Sequence, residues 1–101
     1  MGRATLAWGG GAVTDTVPVV RGLEAFDRFY AREFSRIVNI TYAVSGSRMA
    51  AEDLAQEAMI RAYRRWPEVG VLERPGGWVR RVALNLALSA YQRRKAEARA
   101  L

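Results

Sequence analysis

The chain has 101 residues, half of them hydrophobic, which is enough for one small domain with a modest core. It contains neither cysteine nor histidine, and this excludes disulfides, thiol nucleophiles, imidazole acid–base catalysis and the usual zinc sites. The net charge is +6, and all of it lies at one end: residues 1–73 balance nine arginines against nine acids, while residues 74–101 set seven cations against Glu97 alone.

Residues 1–22 show no hydrophobic period and contain Gly9-Gly10-Gly11 and Pro18, so a flexible leader is expected there. The glycine triplet is not followed by the Gly-Lys-Ser/Thr of a phosphate loop. The stretch also lacks the apolar core of a signal peptide, and no segment reaches membrane-spanning length. A soluble cytoplasmic protein with no membrane insertion is the expectation.

From Leu23 the pattern becomes helical. Phe26, Phe29, Tyr30, Phe34, Ile37, Val38 and Thr41 recur on one face until about Val44. Gly46 is placed to end that helix and Ser47 to cap the next. The second helix is predicted from about Met49 to Trp66, with Ala51, Leu54, Ala55, Ala58, Ala62 and Trp66 on its buried face. Pro67 is expected to stop it. A loop, PEVGVLERPGG, leads to a third helix that begins near Pro75 or Gly76. Its apolar stripe is Trp78, Val79, Val82, Ala83, Leu86, Ala87 and Ala90, and charge takes over in QRRKAEARA. The expected fold is all-α: a small three-helix bundle with a flexible N-terminal leader.

Three groups of residues stand out as sites. On the second helix, Asp53, Gln56, Glu57 and Ile60 share the face opposite the core. Two carboxylates without a base, metal partner or nucleophile do not make an enzyme. Acids near a helix N-terminus are commonly just solvated, whereas an apolar Ile60 among them fits the centre of a small protein contact. On the third helix the outward positions Arg80, Arg81, Asn85, Ser89 and Gln92 contain no acid, and Arg93 and Arg94 follow. Arginine suits phosphates, and Asn and Gln can bond base edges; a polar face and a basic C-terminal turn favoured by the helix dipole are the plain alternative. The third group is the loop Val69, Gly70, Val71, Leu72, Glu73 and Arg74, whose glycine and apolar side chains could enclose one unstacked base. A simple connector is the default for such a loop.

FDRFYAREFSRIVNITYAVSGSRMAAEDLAQEAMIRAYRRW, followed by ERPGGWVRRVALNLALSAYQRRK, resembles region two of the extracytoplasmic-function (ECF) sigma factors of bacterial RNA polymerase. The likeness covers about Leu23 to Lys95, strongest in AEDLAQEA and WVRRVALNLA. It implies a non-enzymatic transcription initiation factor without cofactor or metal, with residues 23–95 as the domain and 96–101 as a linker or chain end. By that resemblance Asp53, Gln56, Glu57 and Ile60 dock on the clamp helices of the largest subunit of core polymerase. The third helix and its loop would bind the minus-ten promoter element as a separated non-template strand. Asn85 falls at the base-reading position, Ser89 lies one turn further, and residues Val69–Arg74 receive a flipped base. The alternative is a protein-interaction module that engages an anti-sigma factor or another regulator. Family members continue into a helix-turn-helix region four, and Leu101 falls where the linker would begin, so a fragment and a short protein both stay open.

Overall fold

A computed structural model describes the backbone of residues 10–100 and the side chains of residues 26–100. Four helices follow one another: α1 over Gly10–Ser45, α2 over Arg48–Arg64, α3 over Trp66–Val69 and α4 over Pro75–Ala100. No strand occurs among the described residues. The all-α expectation holds, and α1, α2 and α4 are the three long helices of the bundle.

The local chemistry at the α1–α2 corner explains the turn. Gly46 takes a left-handed φ of 70°, which a side chain would resist, and its N–H closes on the Tyr42 carbonyl at 2.9 Å. Ser47 is the N-cap of α2, its hydroxyl accepting from the Ala50 N–H at 3.3 Å. Thr41 ties the two helices together from inside. Its hydroxyl lies within 3.0–3.1 Å of the carbonyls of Ile37, Val38 and Ala51, three alternative acceptors for its single hydrogen.

α1 packs along both α2 and α4, which also touch each other. The core is built from Phe26, Phe29, Ile37 and Val38 of α1, Ala51, Ala55, Ala58, Met59 and Ala62 of α2, and Val79 and Ala83 of α4. Trp66 closes one end, its ring edge-on to Phe26 at 5.2 Å and tilted against Phe29 at 5.1 Å. Alanines on the inner faces of α2 and α4 let the helices approach closely, as ridge-in-groove packing requires.

In its helix limits and core the structure departs from the sequence reading in four places. Helix α1 begins at Gly10, so residues 10–22 of the expected leader have helical backbone, while residues 1–9 lie outside the described residues. Helix α2 ends at Arg64 rather than Trp66, and Pro67 opens the one-turn α3 inside the expected loop. A proline lacks only an N–H that the first turn of a helix would leave unpaired anyway, so it starts α3 as readily as it stops α2. On α2, Met59 is buried and Leu54 only half-buried. Finally, Glu33 is buried within the apolar face of α1.

Candidate functional site

The α2 face emerges as a continuous exposed strip. Asp53, Gln56 and Ile60 are exposed and Glu57 is half-buried. Glu57 accepts from Arg61 Nε at 3.0 Å, one turn along. Among the described residues neither Asp53 nor Gln56 has a side-chain partner. Ile60 and Tyr63 rim a shallow groove of about 380 Å³ between α1 and α2, lined also by Phe26, Tyr30, Gln56 and Met59. Tyr63 and Met49 are further exposed side chains on this side of α2. Both continue the helical step that links Gln56 to Ile60, which is the signal that identifies them.

The α4 face is different in kind. Arg81, Asn85, Ser89, Gln92, Arg93 and Arg94 are all exposed. None of these arginines has a carboxylate within salt-bridge distance among the described residues, and neither has Arg74 in the preceding loop. Elsewhere Arg48, Arg61 and Arg65 lie beside Glu52, Glu57 and Glu68. Apart from Arg80, the arginines of this basic end therefore carry charge without an acid partner among the described residues. Leu84, Leu88 and Tyr91 are exposed beside it, a second apolar stripe outside the core face.

Arg80 does not belong with the outward residues. It turns toward α1, where its Nη1 donates to Glu33 Oε1 at 3.1 Å, and it is only partly exposed. Arg32 and Arg36 lie 3.7 and 3.6 Å from the other carboxylate oxygen. Gly76, buried in the first turn of α4, makes room: a Cβ there would stand 2.9 Å from Arg80 Nη1. The sequence clue to Glu33 was its place in the row Phe29, Glu33, Ile37, Thr41, every fourth residue along the core face.

The loop set is likewise divided. Val69 is buried in the core, and Gly70 lies against the Trp66 ring. Both are therefore packing residues. Val71, Leu72, Glu73 and Arg74 remain exposed, Val71 being 80% open. Among the described residues no group of three or more acidic side chains converges on a point where a metal ion could sit.

Residues 29–97 match the family model for sigma-70 region 2. Over 87 residues the chain is 32% identical to the ECF RNA polymerase sigma factor SigE of Mycolicibacterium smegmatis (strain ATCC 700084 / mc(2)155), a match that covers 84% of this chain and 33% of that protein. The chain thus spans about a third of the length of that curated relative. No solved structure matches it. The three long helices, the acid–amide face of α2 and the basic face of α4 are set on a sequence that matches region two along most of its length, and the chain belongs to the sigma-70 region 2 family, as the region-two domain of an ECF-type sigma factor.

Proposed function

We propose that this domain docks on core RNA polymerase through α2 and holds the minus-ten promoter element as single-stranded DNA along α4. The observation that carries the reading is the division of the surface. Asp53, Gln56 and Ile60 face solvent on one helix, while Arg81, Asn85, Ser89, Gln92, Arg93 and Arg94 face it on another with no acid paired to the arginines among the described residues. On α2, acid and amide groups around an apolar centre give orientation as well as attraction toward a basic coiled coil such as the clamp helices of the largest subunit. On α4, arginines contact phosphates and Asn85 reads a base edge. Val71, Leu72 and Arg74 border a base that leaves the stack, now without Val69 and Gly70, which serve the core. Trapping unstacked bases lowers the cost of strand opening, and the chemistry of transcription stays with polymerase. The proposed role is one exercised in the cytoplasm; among the described residues no helix is long and apolar enough to cross a membrane.

The groove beside Ile60 and Tyr63 supports a second reading, in which the domain chiefly engages an anti-sigma factor or another regulator. The test is binding of promoter single strands by reconstituted holoenzyme at several salt concentrations. Asn85→Ala is expected to cut discrimination between matched and mismatched minus-ten strands by about 1–3 kcal/mol with an unchanged salt slope. Arg81→Ala or Arg93→Ala is expected to weaken all sequences alike and flatten the slope by about 0.7 per contact. Sequence-blind binding with no dependence on these residues leaves the interaction module as the function.

A further inference from the structure

Tyr91 is 42% exposed on α4, one turn beyond Leu88, itself 41% exposed. Arg94 Cζ lies 5.9 Å from the centre of its ring and Lys95 Nζ lies 5.8 Å from it. These cations stand three and four residues on, where helix geometry brings side chains over a ring. Neither has a carboxylate within salt-bridge distance among the described residues, and Glu97, the one acid after residue 74, pairs with none of its basic neighbours. The result is an exposed aromatic ring with two cations loosely over it, 5.8–5.9 Å from its centre, and among the described residues neither cation has a carboxylate partner.

A ligand that matches this surface has a flat π-face with a negative group beside it. An unstacked nucleobase and its phosphate fit both requirements, because bases stack on aromatic rings while arginine and lysine meet the backbone. An acidic protein segment would satisfy the cations but leave the ring face without a matching plane. Asn85 lies six residues earlier, about 9 Å along the helix axis and about 120° around it, so a strand that presents a base to Asn85 must pass partly around α4 to reach the ring.

We propose that Tyr91 is a stacking platform for one unpaired base of single-stranded DNA, with Arg94 and Lys95 on the adjoining phosphate. This rests on the reading of α4 as a DNA-binding face and adds to it a contact that is tolerant of base identity, unlike Asn85. Tyr91→Phe keeps the ring; Tyr91→Leu keeps apolar bulk and helix propensity but removes the plane.

The experiment compares holoenzyme carrying wild-type chain, Tyr91→Phe, Tyr91→Leu or Asn85→Ala. Each is titrated with an intact promoter non-template strand and with strands in which one base at a time is replaced by an abasic site. Tyr91→Leu is expected to weaken the intact strand about fivefold or more, and Tyr91→Phe by less than about twofold. At one position the abasic penalty seen with wild type should vanish in Tyr91→Leu and persist in Asn85→Ala. A Tyr91→Leu protein that keeps wild-type affinity and every abasic penalty overturns the platform, while loss of discrimination in Asn85→Ala would still uphold the DNA reading. Weaker assembly with core polymerase and unchanged strand binding assigns the ring to a protein contact and also overturns it. A wild-type holoenzyme with no affinity for the strand removes both readings together. Melting curves of Tyr91→Leu that match wild type exclude unfolding as the cause.

Discussion

Glu33 and Arg80 are 47 residues apart in sequence and joined at 3.1 Å, linking the middle of α1 to the second turn of α4. The carboxylate is buried and the guanidinium is partly open to water, so the pair is neither a surface contact nor a fully desolvated one. Removing Arg80 leaves Glu33 with only the more distant Arg32 and Arg36. Arg80→Ala is therefore expected to cost about 1–2 kcal/mol of stability, read by urea denaturation. The salt slope of DNA binding should not change, because this guanidinium is already engaged. A double-mutant cycle with Glu33→Gln should show coupling; additive losses would mean the contact contributes nothing.

Gly70 is held by crowding rather than by backbone angle. A Cβ there would stand 2.7 Å from Trp66 Cε2 and 2.9 Å from both the indole nitrogen and the Trp66 carbonyl oxygen. A rigid ring and a backbone atom cannot yield as a flexible side chain would. Gly70→Ala is expected to destabilise the domain by about 1–3 kcal/mol and to perturb the tryptophan fluorescence, with Trp66 displaced from Phe26 and Phe29. An unchanged midpoint would show that α3 relaxes freely.

Met59 and Leu54 exchange the importance that sequence pattern assigns them. Met59 is 2% exposed inside the core, and Leu54 is half-buried at its margin. Met59→Ala should cost about 2–5 kcal/mol through the cavity it leaves. Leu54→Ala should cost clearly less. Equal losses in chemical denaturation would contradict this order.

On the acid–amide face of α2, Asp53→Ala and Gln56→Ala remove groups without side-chain partners among the described residues, and Glu57→Ala also removes the Arg61 pair. Each single change should stay within about 0.5 kcal/mol of wild-type stability. The triple variant should bind core polymerase more weakly in a pull-down or anisotropy titration. Undiminished affinity would remove the docking role from α2.

What could be read in the sequence was local. The helical step of the apolar residues revealed the three long helices, and Gly46 and Ser47 marked the corner between the first two because caps and left-handed turns are set by neighbouring residues. The acid–amide face of α2 was legible for the same reason. Contacts that depend on distant chain were not. Arg80 sits beside the outward residues in sequence, but Glu33 draws it inward, and neither residue betrays the other by spacing. Val69 looked like loop because Pro67 reads as a stop; the turn it starts carries Val69 into the core. The helical backbone of residues 10–22 was hidden by the glycines and Pro18, each unfavourable to a helix when judged alone.

The inner face of α2 is Ala51, Ala55, Ala58 and Ala62, each wholly buried, and Ala83 of α4 belongs to the same core. Methyl groups therefore gauge the distance between the helix that carries the acid–amide strip and the helix that carries the unpaired cations. Side chains this small have almost nothing to lose by truncation, so the vulnerable direction is enlargement. A change such as Ala58→Val would force the helices apart at a cost of about 1–3 kcal/mol. Any molecule that survived it would keep both surfaces chemically intact while altering the angle at which one is presented relative to the other.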